Sequence, residues 1–181
     1  YRLGVIFMRQ VRFKEAAESL EKAVALNLPD KEVHLELATA YDELKDFAKA
    51  AAAYEKYIGL GPAEAWSAQQ KLGRARINLG QFDGAGAALL EAEKGQPKDL
   101  KVKGDLAEAY EKAGQLENAE AVYSGMAALD PGSAKKYHQW AFRMYDLAKR
   151  YDKAVVPAKK VIDLDPNDEM SYYSLGTTYH N

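Results

Sequence analysis

The sequence predicts an all-α chain of stacked helical hairpins, about five and a half of them, with no strand. Three observations carry this. Apolar residues recur at helical spacing in short stretches: between 106 and 131, Leu106, Ala107 and Tyr110 form one stripe, and Leu116, Ala119, Tyr123 and Met126 form a second. Turn residues separate the stripes, Gly114 between the two and Asp130-Pro131 after them. The same columns then return along the chain. The pairs Leu3-Gly4, Leu37-Ala38, Leu72-Gly73, Leu106-Ala107, Ala141-Phe142 and Leu175-Gly176 begin 34, 35, 34, 35 and 34 residues apart. A helix with so narrow an apolar stripe is marginal alone and needs a neighbour to cover it.

Taken in order, the first hairpin spans 1–28 without its opening residues, its second helix expected from Lys14 to Asn27 and its closing proline shifted to Pro29. Further hairpins follow at 29–61, 62–96, 97–130 and 131–165, and 166–181 holds a lone first helix. This organisation reads as a single array over 1–181 with eleven helices. Four residues after each pair's first member stand Phe7, Tyr41, Arg76, Tyr110, Tyr145 and Tyr179. Ten after it stand Phe13, Phe47, Phe82, Leu116 and Tyr151, and three further on every hairpin has alanine: Ala16, Ala50, Ala85, Ala119 and Ala154. Small residues let two helices approach closely, and the aromatic columns fill the space between hairpins. Pro62, Pro97, Pro131 and Pro166 stand where a second helix must stop. Gly80 and Gly114 occupy the turn inside a hairpin, where a positive φ is expected.

Composition narrows the function classes. With 25 Lys and Arg against 27 Asp and Glu, the net charge is -2, which argues against a general nucleic-acid or anionic-membrane surface. Cysteine is absent, so disulfides, thiolate metal sites and cysteine nucleophiles are excluded. No apolar run approaches the roughly 18 residues of a spanning helix. Opening at Tyr1 within a pattern already under way, the chain reads as a fragment of a longer array.

The columns resemble the tetratricopeptide repeat (TPR) family, whose pattern of L-G-x-x-Y, then alanine, an aromatic, alanine and proline in about 34 residues covers essentially the whole chain. The resemblance implies an α-α superhelix, a right-handed TPR solenoid, with a concave groove lined mainly by the first helix of each repeat. It implies groove positions Glu32, Thr39 and Asp42 in the second repeat, with Leu35 beside them. In the third these are Gln70, Arg74 and Asn78, with Ser67. Lys101, Glu108 and Lys112 follow in the fourth, with Glu111, and Lys136, Gln139 and Arg143 in the fifth, with Asp146. The competing reading is that these are the solvated face every surface helix carries. Some family members clamp a C-terminal carboxylate with lysine, asparagine and arginine. Here the comparable positions hold Leu35 and Thr39, Gln70 and Arg74, then Gly104 and Glu108, so that reading is set aside.

Several residues depart from the pattern. Arg76 replaces an aromatic; either its stem packs while its head reaches solvent or an acid, or it is a groove charge for an acidic ligand. Phe142 stands where a small residue is usual, so the fifth hairpin is expected to be spread. Pro157 falls inside a second helix, with Asp152 as its N-cap, and is expected to bend it near Lys153-Ala154. Candidate chemistry is weaker. His34, His138 and His180 share no spacing that converges on a metal. Gly84-Ala85-Gly86 resembles half a phosphate loop, but no strand precedes it and no GK[ST] exists, so helix packing explains it better. The carboxylates Asp42-Glu43, and Glu108 with Glu111, sit on solvated helices rather than as a hydrolytic dyad.

The expected function is therefore a non-catalytic protein-protein interaction scaffold, with no cofactor and no metal, that holds a peptide or helix of a partner protein in its groove. Nucleic acid and membrane insertion are not expected. The alternative is a self-assembling structural module, a homo-oligomer joined through the array or its ends, where Tyr172, Tyr173, Leu175 and Tyr179 leave an apolar patch. The alanine-rich, cysteine-free repeats suggest a bacterial source, and by resemblance an envelope or secretion assembly fits; cytoplasm and periplasm both remain open.

Overall fold

The structure, a computed structural model, describes residues 1–26 and 30–180, with every side chain among them except those of Met170 and Ser174. The expected stop at Pro29 and the end of the first repeat's second helix at Asn27 lie outside the described residues. Among the described residues there are eleven α-helices and no strand. Two compact units divide them, Tyr1–Pro97 and Lys98–Asn181. The first holds α1 (Arg2–Arg9), α2 (Phe13–Ala25), α3 (Glu32–Glu43), α4 (Phe47–Gly59), α5 (Trp66–Asn78) and α6 (Phe82–Gly95). The second holds α7 (Leu100–Lys112), α8 (Leu116–Leu129), α9 (Ala134–Leu147), α10 (Tyr151–Leu164) and α11 (Glu169–His180), with a short 3-10 turn at Pro131–Ser133 that the sequence pattern did not announce. Within each unit, helices adjacent in sequence pack on one another.

The repeating columns have separate structural duties. Phe13, Phe47, Phe82, Leu116 and Tyr151 are each the first residue of a second helix, so α2 begins one residue before the expected Lys14. All five alanines of the alanine column are fully buried. At Gly4 and Gly73 the small member of the pair faces the partner helix of its hairpin. A Cβ placed on Gly4 would lie 2.6 Å from Leu20 Cγ, and one on Gly73 would lie 2.5 Å from Leu89 Cγ. Leu20 and Leu89 are fully buried, so the missing methyl is what admits them. The helices stop two or three residues before Pro62, Pro97, Pro131 and Pro166.

One turn closes every hairpin. Gly80 and Gly114 both have φ +73°, as expected of them, and the same column elsewhere holds Val11 (φ 60°), Lys45 (φ 60°) and Lys149 (φ 56°). In each case the next amide reaches back five residues to a first-helix carbonyl: Arg12 to Phe7, Asp46 to Tyr41, Gln81 to Arg76, Gln115 to Tyr110 and Arg150 to Tyr145, all at 2.9 or 3.0 Å. This is the Schellman closure, which satisfies carbonyls that a helix end leaves bare. Glycine takes it without strain; a β-branched valine does not.

Arg76 donates through Nη1 to the Gly84 carbonyl at 2.8 Å and through Nη2 to Glu55 at 2.7 Å, so it serves the fold and not a groove. In the preceding repeat Tyr41 donates to Glu21. Glu21 and Glu55 stand 34 residues apart, so arginine has taken the tyrosine's place on an equivalent acid. Gly84, Ala85 and Gly86 lie inside α6, with Ala85 and Gly86 buried. Phe142 packs on Ala119, Met144, Tyr145 and Ala154, and α9 and α10 stay packed together like the other pairs, against the expected spreading. The compensation is visible in the facing column: Leu20, Tyr54, Leu89 and Tyr123 give way to Ala158, which is buried. The N-cap of α10 is Arg150, not Asp152, which sits in the first turn. There its carboxylate faces the positive end of the helix. Pro157 is buried inside a helix that runs on to Leu164.

In the second unit, Lys135 Nζ lies 2.7 Å from Asp165 and 3.1 Å from Asp168, tying the start of α9 to the loop after α10. His138 is buried on α9, and burial, reinforced by Lys160 and opposed by Glu120, pushes its pKa below the ordinary 6.5.

Three outcomes are expected. Val11→Gly and Lys149→Gly should each raise stability by about 0.5–1 kcal/mol, and Gly114→Ala should lower it by about 1 kcal/mol; urea unfolding reads the change, and an unchanged midpoint for Val11→Gly contradicts the strain. Gly73→Ala should destabilise by about 1–3 kcal/mol although alanine is the better helix former, and a neutral result would show that Leu89 moves aside freely. A depressed histidine favours folding while it stays neutral. The contribution of His138 is therefore complete above pH 6.5 and is lost as pH falls through its lowered folded value. Thermal melts should show a fall in stability on acidification that His138→Gln flattens.

Candidate partner-binding cleft

The two units treat their predicted groove residues differently. In the first, most are engaged within the fold. Thr39 Oγ1 donates to the Leu35 carbonyl at 2.9 Å and accepts from Lys71 Nζ at 3.5 Å. Asp42 is held above the usual carboxylate range by burial, a shift that nearby Lys71 and Arg74 oppose and Glu43 reinforces. Tyr57 donates its hydroxyl to Glu32 at 3.5 Å. Asn78 Nδ2 donates to the Arg74 carbonyl one turn back at 2.9 Å. Gln70, expected in the groove, is 9% exposed and lies among the buried residues of α5. Arg74 is exposed.

The second unit has an open cleft of about 490 Å³ lined by residues of α7 and α9 and by Tyr123 of α8. Glu108, Glu111 and Lys112 come from α7; Trp140, Arg143, Met144 and Leu147 come from α9. Three of the expected groove residues, Glu108, Lys112 and Arg143, thus meet in one place, as does Glu111. Lys101 and Gln139 are exposed on the same two helices but do not line the cleft.

Its electrostatics are largely settled internally. Lys112 lies 3.8 Å from Glu108. Tyr123 donates to Glu111 at 2.5 Å, and burial together with that carboxylate raises the phenol's pKa above the ordinary tyrosine value, so it remains a donor. Lys136 Nζ sits 4.6 Å from the centre of the Trp140 ring and 5.8 Å from that of Tyr137, a cation-π contact. Arg143 is exposed and has no hydrogen bond or ion pair among the described residues.

Trp140 is the residue that sequence reasoning missed. Its ring meets Tyr123 edge-on at 5.7 Å and Tyr137 at 5.5 Å, yet it is 39% exposed. The signal was there: the column of Glu36, Lys71, Asp105 and Trp140 lies one residue beyond Leu35, Gln70, Gly104 and Gln139, and a tryptophan among charged residues marks an apolar spot on a wet face. A second recess in the first unit, near His34, Glu55, Lys56 and Leu60, has no aromatic contact of this kind. Among the described residues no group of three or more His, Cys, Asp and Glu could hold a metal, and no helix is long and apolar enough to cross a membrane.

Comparison with known proteins bears on this architecture. No curated protein matches the chain by sequence. Among solved structures, MamA (residues 41 to the end) from Desulfovibrio magneticus RS-1 superposes with a TM-score of 0.71 at 23% identity, covering 93% of this chain and 94% of that one. YrrB, described as a TPR protein with an unusual peptide-binding site, gives 0.73 at 18% identity over 96% and 88%. The C-terminal part of a TPR repeat-containing protein from Cytophaga hutchinsonii gives 0.67 at 20% over 98% and 69%. Identities this low speak to the fold. The family model for the tetratricopeptide repeat matches residues 1–65 and 71–134. With that match over most of its length, and the same Schellman-closed hairpin returning every 34 or 35 residues, the chain belongs to the tetratricopeptide repeat family.

Proposed function

We propose that this protein is a non-catalytic interaction module and that the cleft of its second unit holds a segment of a partner protein. The observation that carries this is Trp140, a large indole left 39% exposed in a concave site beside an unpaired Arg143. Tryptophan and arginine are the side chains that most often dominate binding energy at interfaces. A concave surface with an apolar patch and a polar rim suits a peptide better than a small metabolite. YrrB, similar in fold, is described as having a peptide-binding site, which supports the same use here without fixing the ligand. Screening a peptide array against the full chain should yield binders whose affinity drops roughly thirtyfold or more with Trp140→Ala. Binders indifferent to both Trp140→Ala and Arg143→Ala would overturn the assignment.

A second reading, self-association, rests on α11. Tyr173 is 70% exposed there, and Tyr172 and Tyr179 are exposed with it, an apolar surface of the kind that marks contact sites. Sedimentation should then show oligomers that Tyr172→Ser with Tyr173→Ser disperses; a strict monomer at high concentration removes this reading.

A further inference from the structure

Resting on the proposed use of the second-unit cleft, we infer that its ligand is an extended segment carrying an acidic side chain flanked at two-residue spacing by large apolar ones, Φ-x-[DE]-x-Φ. Charge accounting inside the cleft leads there. Lys112 is paired with Glu108, Glu111 accepts from Tyr123, and Lys136 is directed onto the Trp140 indole. Tyr123 hydrogen-bonds Glu111 without neutralising it, and of the two cations that line the cleft the one with neither an ion pair nor a ring contact among the described residues is Arg143, a planar donor fork suited to a carboxylate.

Its neighbours fix the rest of the pattern. Trp140, Arg143 and Leu147 lie on one stripe of α9, with the cation between two apolar groups, and Leu147 is 73% exposed. Leu147 stands seven positions after Trp140, about 10.5 Å along the axis at ~1.5 Å per residue. In an extended peptide, side chains two apart point the same way, and the outer pair of Φ-x-[DE]-x-Φ spans about 13 Å at ~3.3 Å per residue. The two lengths correspond closely enough for both apolar side chains to seat while the acid meets the guanidinium. Such a ligand leaves no buried charge unpaired, whereas a lysine in the central place would face Arg143 directly.

The test uses the full chain carrying Trp66→Phe. Trp66 packs against Gly95 in the first unit, so its removal leaves Trp140 as the sole tryptophan reporter. The probes are peptides blocked at both ends with the core Leu-Ser-Asp-Ser-Leu, and the same peptide with Asn or Lys in the central place. Blocking removes the terminal carboxylate, and so short a core forms no helix. The Asp peptide should quench or shift Trp140 emission and bind about tenfold more tightly than the Asn peptide, with the Lys peptide weaker still. Arg143→Gln, an exposed substitution whose helical circular dichroism should be unchanged, should make the Asp and Asn peptides equal.

An Asp peptide bound no better than its Asn counterpart, or a preference that survives Arg143→Gln, overturns the inference while leaving the cleft a binding site. If no peptide perturbs Trp140, both the inference and the proposed function fall. An emission change that depends on protein concentration alone would mean that a second copy occupies the cleft, which also overturns the inference.

Discussion

The distance between the two helices of a hairpin is the constraint on which the rest depends. Where Gly4 faces Leu20 and Gly73 faces Leu89, there is no room for a Cβ, so backbone and side chain meet with nothing between them. That contact sets how deeply the second-helix residue is buried, and the fully buried alanine column lets the helices stay close along their length. A chain so rich in alanine buries little area per side chain. Its stability rests on close packing repeated in every hairpin, where filling a gap and leaving one are both felt.

Much of this architecture could be read from the residues because each hairpin writes its instructions locally. The small-residue column, the glycine or αL turn and the closing proline act within one unit of about 34 residues, so spacing alone located the helices. Side chains that act across repeats were less legible. Arg76 looked anomalous until Glu55 appeared beside it in space, and the burial of Gln70 follows from how α5 packs rather than from its own polarity. Phe142 looked like an error against its column because its counterpart, Ala158, lies in another column. The groove was legible as a set of columns but not as a site, since periodicity does not say which polar residues are already engaged with their own neighbours.

That engagement distinguishes the two units. On α3 and α5 the polar groups of Thr39, Glu32 and Asn78 turn back onto the protein's own atoms. On α7 and α9 the internal pairings leave one guanidinium and two apolar groups facing outward. The same family pattern therefore produces a face whose polar groups, the exposed Arg74 apart, mostly turn onto the protein in one unit, and a cleft with an outward indole and guanidinium in the other. The difference comes from a few substitutions in columns that the fold leaves free.

The inversion of size between Phe142 and Ala158 has a further consequence, for recombination. In the other hairpins a small residue on the first helix accompanies a large one on the second, and here the assignment is reversed. A crossover inside a hairpin that joined α9 to a second helix from elsewhere would set two bulky residues in facing columns, and the opposite chimaera would leave a void. Exchanges made in the loops between hairpins, which keep α9 and α10 together, avoid both.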